Sequence, residues 1–213
     1  MNTLVITGIS RGIGLATAQL FLANNWSVIG TSTSGHTPLK HKNLKIHTLN
    51  LADSEQIKHF ATQLTNIDVL INNAAVLLEN WQEEKISLNQ LKETFAINVF
   101  GTIDLTEQCL PKLTPRGQII NISSGWGTFS SNSSASVPHY KMSKACLNMY
   151  TLLLAKRLPE IVVSSFDPGW VKTDMGTLDA PKPPAQTAHE LYELVNKKKK
   201  SGSFWHEGEI RDW

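Results

Sequence analysis

The sequence predicts one α/β domain over residues 1–213, a doubly wound parallel sheet of about seven strands with helices on both faces. Three observations carry that expectation. Short β-branched apolar runs alternate with stretches of helical length or spacing along the whole chain, without a linker or an internal repeat. The first run ends in a glycine-rich turn that opens at once into a helical pattern. Residues able to do chemistry stand just past the ends of several runs, at Gly8, Asn72, Ser124 and Pro168. Strict alternation of strand and helix gives parallel strands. Right-handed crossovers then cover both faces, the Rossmann-type arrangement, whose ligand cleft lies at the carboxyl ends of the strands where strand order reverses.

The elements follow in order. Leu4–Thr7 is a β-branched run, and the turn Gly8-Ile9-Ser10-Arg11-Gly12-Ile13-Gly14 leads into helical spacing at Ile13, Ala16, Thr17, Leu20 and Phe21. Glycines let the backbone turn tightly and approach a pyrophosphate at a positive helix N-terminus. The spacing is G-x-x-x-G-x-G. Further strands are expected at Ser27–Thr31, Lys45–Asn50, Val69–Asn72, Gln118–Ser123, Val162–Asp167 and, weakly, Ser203–His206. Long helices are expected over Leu88 to Leu110 and Pro138 to Leu158, and Asp53 before Ser54-Glu55 reads as a helix cap. Ser130 to Ser136 reads as a flexible polar loop, and Lys197 to Lys200 as the cationic end of a solvent-facing helix.

Composition narrows the class. A net charge of +2 over 213 residues implies no attraction to nucleic acid or membrane. No apolar run approaches the ~20 residues of a membrane span. Cys109 and Cys146 both fall in apolar helical stretches and read as buried thiols, with no metal site. His139 has no His or Cys at ligand spacing and reads as a partly solvated residue at a helix start. The first strand begins within a few residues of Met1, so no signal peptide is expected and the default setting is the reducing cytoplasm.

Tyr140 and Lys144 carry the chemistry. Four residues apart on a helix, they share a face one turn apart. A phenol with a pKa near ~10 is a poor acid or base at neutral pH, and a neighbouring ammonium would lower it. Ser124, at the end of the Gln118–Ser123 run, could hold a substrate oxygen. Asn98 stands within an apolar helical stretch, so it should hydrogen-bond something buried.

The second strand says something about the cofactor. It runs into Thr31-Ser32-Thr33-Ser34 with no carboxylate where an NAD site usually places one, about 20 residues past the glycines. Hydroxyls there do not repel a 2′-phosphate, and Arg11 can donate to it. The alternative is that Arg11 is a solvated turn residue. The expectation is NADPH.

Thr7-Gly8-x-x-x-Gly12-x-Gly14, Asn72-Asn73-Ala74, Asn98, Ser124, Tyr140-x-x-x-Lys144 and Pro168-Gly169, in that order, resemble the short-chain dehydrogenase/reductase family. The stretch Asp167 to Gly176 and the ending Gly202-Ser203-Phe204-Trp205 with Gly208 and Trp213 look most like its carbonyl-reductase branch with C-factor and sniffer-like proteins. The resemblance implies a fold with NADP(H) held by Gly8, Ser10, Arg11, Gly12, Ile13, Gly14, Thr33, Asn50, Leu51, Asn73, Ala74, Tyr140, Lys144, Pro168, Gly169, Val171 and Thr173. It implies a catalytic set of Asn98, Ser124, Tyr140 and Lys144, with Asn98 holding water in a proton relay and Tyr140 giving a proton to a carbonyl oxygen. Ala75 stands where the family has Gly, tolerable if its φ is negative.

Trp81, Trp126, Phe129, Trp170 and Met175 are candidate walls of a substrate cleft. The preferred activity is reduction of a small aldehyde or ketone, with little chain after Pro168-Gly169 for a large lid. A dinucleotide-binding regulatory protein and a 3-oxoacyl thioester reductase are the rivals. Apolar positions around the Pro138–Leu158 helix extend beyond one stripe, which suggests a homodimer through helix faces.

Overall fold

The computed structural model describes residues 1–130, 134–197 and 200–213. Lys198 and Lys199 of the lysine run, and Ser131, Asn132 and Ser133 of the serine-rich loop, lie outside the described residues. Seven strands run parallel: β1 (Thr3–Thr7), β2 (Ser27–Ser32), β3 (Leu44–Thr48), β4 (Ile67–Asn72), β5 (Leu113–Ile122), β6 (Val162–Asp167) and β7 (Ser203–His206). Their order is β3-β2-β1-β4-β5-β6-β7, so strand order reverses between β1 and β4. An eighth strand, β8 (Glu209–Arg211), pairs antiparallel with β7 at the sheet edge. The sequence reading did not contain it, because three residues show no period. It exists because Glu207 (φ 49°) and Gly208 (φ 84°) both turn left-handed between the paired His206 and Glu209, the requirement of a tight two-residue hairpin.

Alternate strand residues feed two cores. Leu4, Ile6, Val69, Ile71, Ile120 and Ile122 face α1 (Gly12–Ala23) and α6 (Pro184–Asn196), packing on Phe21, Leu22 and Leu191. Val5, Leu70, Ile119 and Val163 face the other way. They meet Ile57 and Phe60 of α2 (Ser54–Thr62), and Leu105 and Cys109 of α4 (Thr102–Cys109). Leu154 of α5 (Pro138–Arg157) completes that core. Each such fully buried side chain stabilises the fold by about 1.5–3 kcal/mol relative to exposure. Asp53 caps α2, its Oδ1 accepting from the Gln56 amide at 3.0 Å.

A buried polar row crosses this second layer. Asn72, Asn121 and Ser165 are direct neighbours across β4, β5 and β6. Asn72 Nδ2 donates to Asn121 Oδ1 and to Thr106 Oγ1, both at 2.8 Å. Asn121 Nδ2 and Ser165 Oγ both donate to Thr151 Oγ1, at 2.8 and 2.9 Å. The row pins strand register and ties α4 and α5 to the sheet, because a one-residue slip would strand every member without a partner.

Two helical expectations are corrected. The stretch expected as one helix is α3 (Leu88–Phe95), a π-helical turn (Ala96–Gly101), α4 and a short 3-10 turn (Leu110–Lys112). Cys109 is buried, and burial pushes its thiol up to about 12. Cys146, expected buried, is exposed. Met142, Cys146, Met149 and Leu153 form one outward stripe of α5, spaced at helical intervals. An α5 that is apolar on several sides does not reveal in sequence which side meets the sheet.

Candidate active site

The glycine turn comes first. Gly8 and Gly12 have left-handed φ of 73° and 58°. A Cβ on Gly14 would stand 2.1 Å from the Gly8 carbonyl oxygen, so the first turn of α1 can pack against the turn only as glycine. Arg11 is the N-cap of α1 and makes no side-chain cap bond, which leaves first-turn amides for an anion. Asn73 Nδ2 donates to the carbonyls of Thr7 and Gly8 at 2.8 and 3.2 Å, locking β4's end to the turn. Thr7 Oγ1 accepts from the amides of Asn73 and Ala74. Ala75 is not left-handed and carries its methyl without strain.

From this turn a cleft of about 700 Å³ runs along the carboxyl ends of the strands. It takes in the Thr31, Ser32 and Thr33 hydroxyl residues, Asn50 and Leu51, the Pro168 to Thr173 turn, and Ser124, Tyr140 and Lys144. Every residue expected to hold cofactor lines it. Arg11 is an open side chain paired to the equally open Asp174 at 3.1 Å, an exposed pair that costs little to exchange. The site fits a dinucleotide phosphate: a backbone cradle that a Cβ would fill, a helix N-terminus without a side-chain cap, and an exposed guanidinium at its rim.

Ser124 follows β5, its Oγ accepting from the Trp126 amide at 3.1 Å. The short turn after it is tied to α5 by Asn148 Nδ2, which donates to Gly127 O at 3.2 Å. Tyr140 and Lys144 are both buried on α5. Lys144 Nζ donates to Ile122 O at 2.8 Å and stands 5.4 Å from the Tyr140 ring centre. Burial lowers the Lys144 ammonium from 10.5 to about 8.

The Tyr140 phenol moves the opposite way from the expectation. Burial raises it, and the nearby Asp167 carboxylate adds to the rise. The protein alone therefore keeps the proton on Tyr140.

Asn98 does not line the cleft. It sits buried in the π-helical turn, Oδ1 accepting from the Val76 amide and Nδ2 donating to Val76 O, both at 2.8 Å, and to Ser143 Oγ at 3.1 Å. It fixes the segment that follows β4, at Val76, against α5. A π turn opens room for such a side chain and recurs at functional sites.

Trp81, Trp126 and Trp170 form a tilted aromatic wall, with ring centres 5.4 Å apart for Trp81 and Trp126 and 6.0 Å for Trp81 and Trp170. Trp126 meets the Tyr140 ring edge-on at 6.3 Å, and Met175 joins the lining. Phe129, expected in this wall, points to solvent and is outside the cleft. His139, expected at a solvated position, is fully buried.

Sequence reasoning missed Asp167 as a site member. It accepts from the Gly169 amide at 3.0 Å and pairs with Arg211 of β8 and, at 3.4 Å, with His206 Nδ1. A lone acid at a strand end was the only signal, and its partner lies on the strand that sequence did not reveal.

A family model described as short chain dehydrogenase matches residues 2–183. Among curated relatives, a 3-oxoacyl-[acyl-carrier-protein] reductase from Aquifex aeolicus is 32% identical over 188 residues, covering 80% of this chain and 74% of its own. C-signal of Myxococcus xanthus is 32% identical over 146 residues, covering 66% of this chain and 88% of its own. Among solved structures, a Burkholderia multivorans protein described as a short-chain dehydrogenase/reductase with bound NADP superposes with a TM-score of 0.92 at 27% identity, covering 100% of this chain and 99% of its own. The carbonyl reductase Sniffer of D. melanogaster gives 0.86 at 26% identity, covering 96% of both chains.

Proposed function

The chain belongs to the short chain dehydrogenase family, and we propose that within it the protein is an NADPH-dependent carbonyl reductase. One observation carries the reading. A single cleft joins the glycine turn and its uncapped helix N-terminus to Ser124, Tyr140 and Lys144. Ser124 and the Tyr140 hydroxyl are more than is needed merely to hold a dinucleotide at such a turn.

NADPH, when bound, supplies the hydride to the carbonyl carbon. The backbone of the glycine turn and the first turn of α1 would hold its pyrophosphate, and Arg11 with Thr33 its 2′-phosphate. Val171 and Thr173 would stand by the nicotinamide end, and Asn50 and Leu51 by the adenine. Ser124 Oγ donates to the carbonyl oxygen and orients it. Tyr140 donates its O–H proton to that oxygen as charge develops, so the phenol ends as phenolate and the product as alcohol. Lys144 then stabilises the phenolate across the short distance to the ring. Asn98 supports the relay by fixing Val76 and Ser143. The tryptophan wall with Met175 suits small apolar or aromatic carbonyls. No helix among the described residues is long and apolar enough to cross a membrane. The reading includes a cytoplasmic setting and a homodimer, the latter supported by the exposed stripe of α5.

The test is consumption of NADPH absorbance against aldehydes, ketones, quinones and 3-oxoacyl thioesters. Turnover of aldehydes or ketones supports the reading, and turnover of thioesters alone moves the substrate to acyl chains. Tight NADPH binding with no turnover across the panel would favour a regulatory dinucleotide-binding protein.

A further inference from the structure

The start of α5 is built unusually. Its N-cap, Val137, is a buried β-branched residue in the left-handed region (φ 47°, ψ 51°), and no side chain caps the helix locally. Such a conformation costs about 1–3 kcal/mol and persists only when neighbours over-determine it. Three hydrogen bonds from one distant segment do so. The Val137 amide donates to Glu83 O at 2.7 Å. The Tyr140 amide donates to Glu79 Oε1 at 3.0 Å. The Ser87 amide donates to His139 Nε2 at 3.0 Å.

Because Nε2 of His139 accepts, its ring proton sits on Nδ1, which stands 3.0 Å from the same Glu79 Oε1. Nδ1 and Oε1 touch without the alignment of a straight hydrogen bond, and Glu79 Oε2 has no hydrogen-bond partner among the described residues. Both side chains are fully buried. Glu79 thus does from another part of the chain what an N-cap side chain does locally, and its charge faces the positive end of α5. The same segment carries Trp81, a wall of the cleft.

We propose that Glu79, backed by His139, is a positioning residue for Tyr140. It ties the backbone amide of Tyr140 to the segment that bears Trp81, so proton donor and substrate wall move as one body. The kinetic part of this rests on the reductase reading above. A buried carboxylate with an unpartnered oxygen is costly to keep, and its one strong bond is to the backbone of the proton donor.

The test compares Glu79→Ala and Glu79→Gln with wild type by amide hydrogen exchange across residues 137–141, NADPH titration and steady-state kinetics. Glu79→Ala removes the acceptor. Protection of the Tyr140 amide should fall, kcat should drop on the order of 100-fold as expected for a misplaced reacting group, and NADPH affinity should stay within about threefold. Glu79→Gln keeps an acceptor oxygen and should recover protection and most of kcat. If the alanine variant does not fold, Glu79→Asp, one methylene too short, is read in its place with the same expectations. Unchanged exchange, or kcat and NADPH affinity lost in parallel without rescue by Gln, would overturn the proposal. A wild type that reduces no carbonyl overturns the reductase reading instead, and the exchange data still decide whether Glu79 holds the Tyr140 amide.

Discussion

Lys144 should be a residue that the fold would be better off without. Its ammonium is buried, donates to Ile122 O, and has its pKa lowered from 10.5 to about 8 by desolvation. At about 1.4 kcal/mol per pKa unit, holding that charge in the folded state at neutral pH costs about 3 kcal/mol. Lys144→Met keeps the apolar stem and removes the charge. Against the gain stands the Ile122 carbonyl left without its donor, a loss of about 1–3 kcal/mol. The net expected at pH 7 is a variant as stable as wild type or more stable by about 1–2 kcal/mol, yet inactive. That opposition of stability and activity is the signature of a functional group held at a cost.

The pH dependence isolates the cause. The folded pKa lies below the unfolded one. Between about pH 8 and 10.5 the unfolded chain therefore binds more protons, and wild-type stability gains from this group as pH rises. Below about pH 8 the penalty is fully present. Lys144→Met lacks the titration, so its advantage over wild type should shrink as pH passes through that window. Urea unfolding followed by tryptophan fluorescence at pH 7 and pH 10 measures it. A variant destabilised by several kcal/mol at pH 7, or one whose difference from wild type does not change with pH, would refute the reasoning.

Two other outcomes follow. Wild type should bind NADPH at least tenfold more tightly than NADH, a difference of about 1.4 kcal/mol, and Arg11→Ala should remove much of that preference; equal or better NADH affinity in the wild type contradicts the role given to Arg11 and Thr33. Light scattering at micromolar concentration should give twice 23.6 kDa, because Met149 (54% exposed) and Leu153 (56% exposed) leave the outward apolar stripe of α5 uncovered; a clean monomer mass rules out a stable dimer.

Much of this was legible in the sequence, because the signals were local and periodic. The β1 run, the glycine turn and the Tyr140–Lys144 spacing each follow from the conformation of a few adjacent residues. Parallel strands buried on both faces announce themselves as apolar runs. What escaped depends on contacts between distant segments. The burial of His139 follows from Glu79, sixty positions away, folding over the start of α5. The exposure of Cys146 and Phe129 follows from which sides of α5 and of the turn after β5 are covered, and an element with apolar residues on several sides does not say. The β8 hairpin needed two successive left-handed residues, one of them Glu207, which sequence gives no reason to expect there. The sign of the Tyr140 shift was misread because a Lys neighbour is visible in sequence and the depth of burial is not.

The central claim is that Tyr140 supplies the proton in carbonyl reduction by NADPH. Tyr140→Phe removes only the hydroxyl from a buried ring and leaves the glycine turn untouched. Its NADPH oxidation rate, measured beside its NADPH dissociation constant on the best carbonyl that wild type accepts, tests the claim most directly. The account predicts turnover lost by about 100-fold or more with cofactor affinity nearly unchanged. A phenylalanine variant that reduces that carbonyl at the wild-type rate contradicts it.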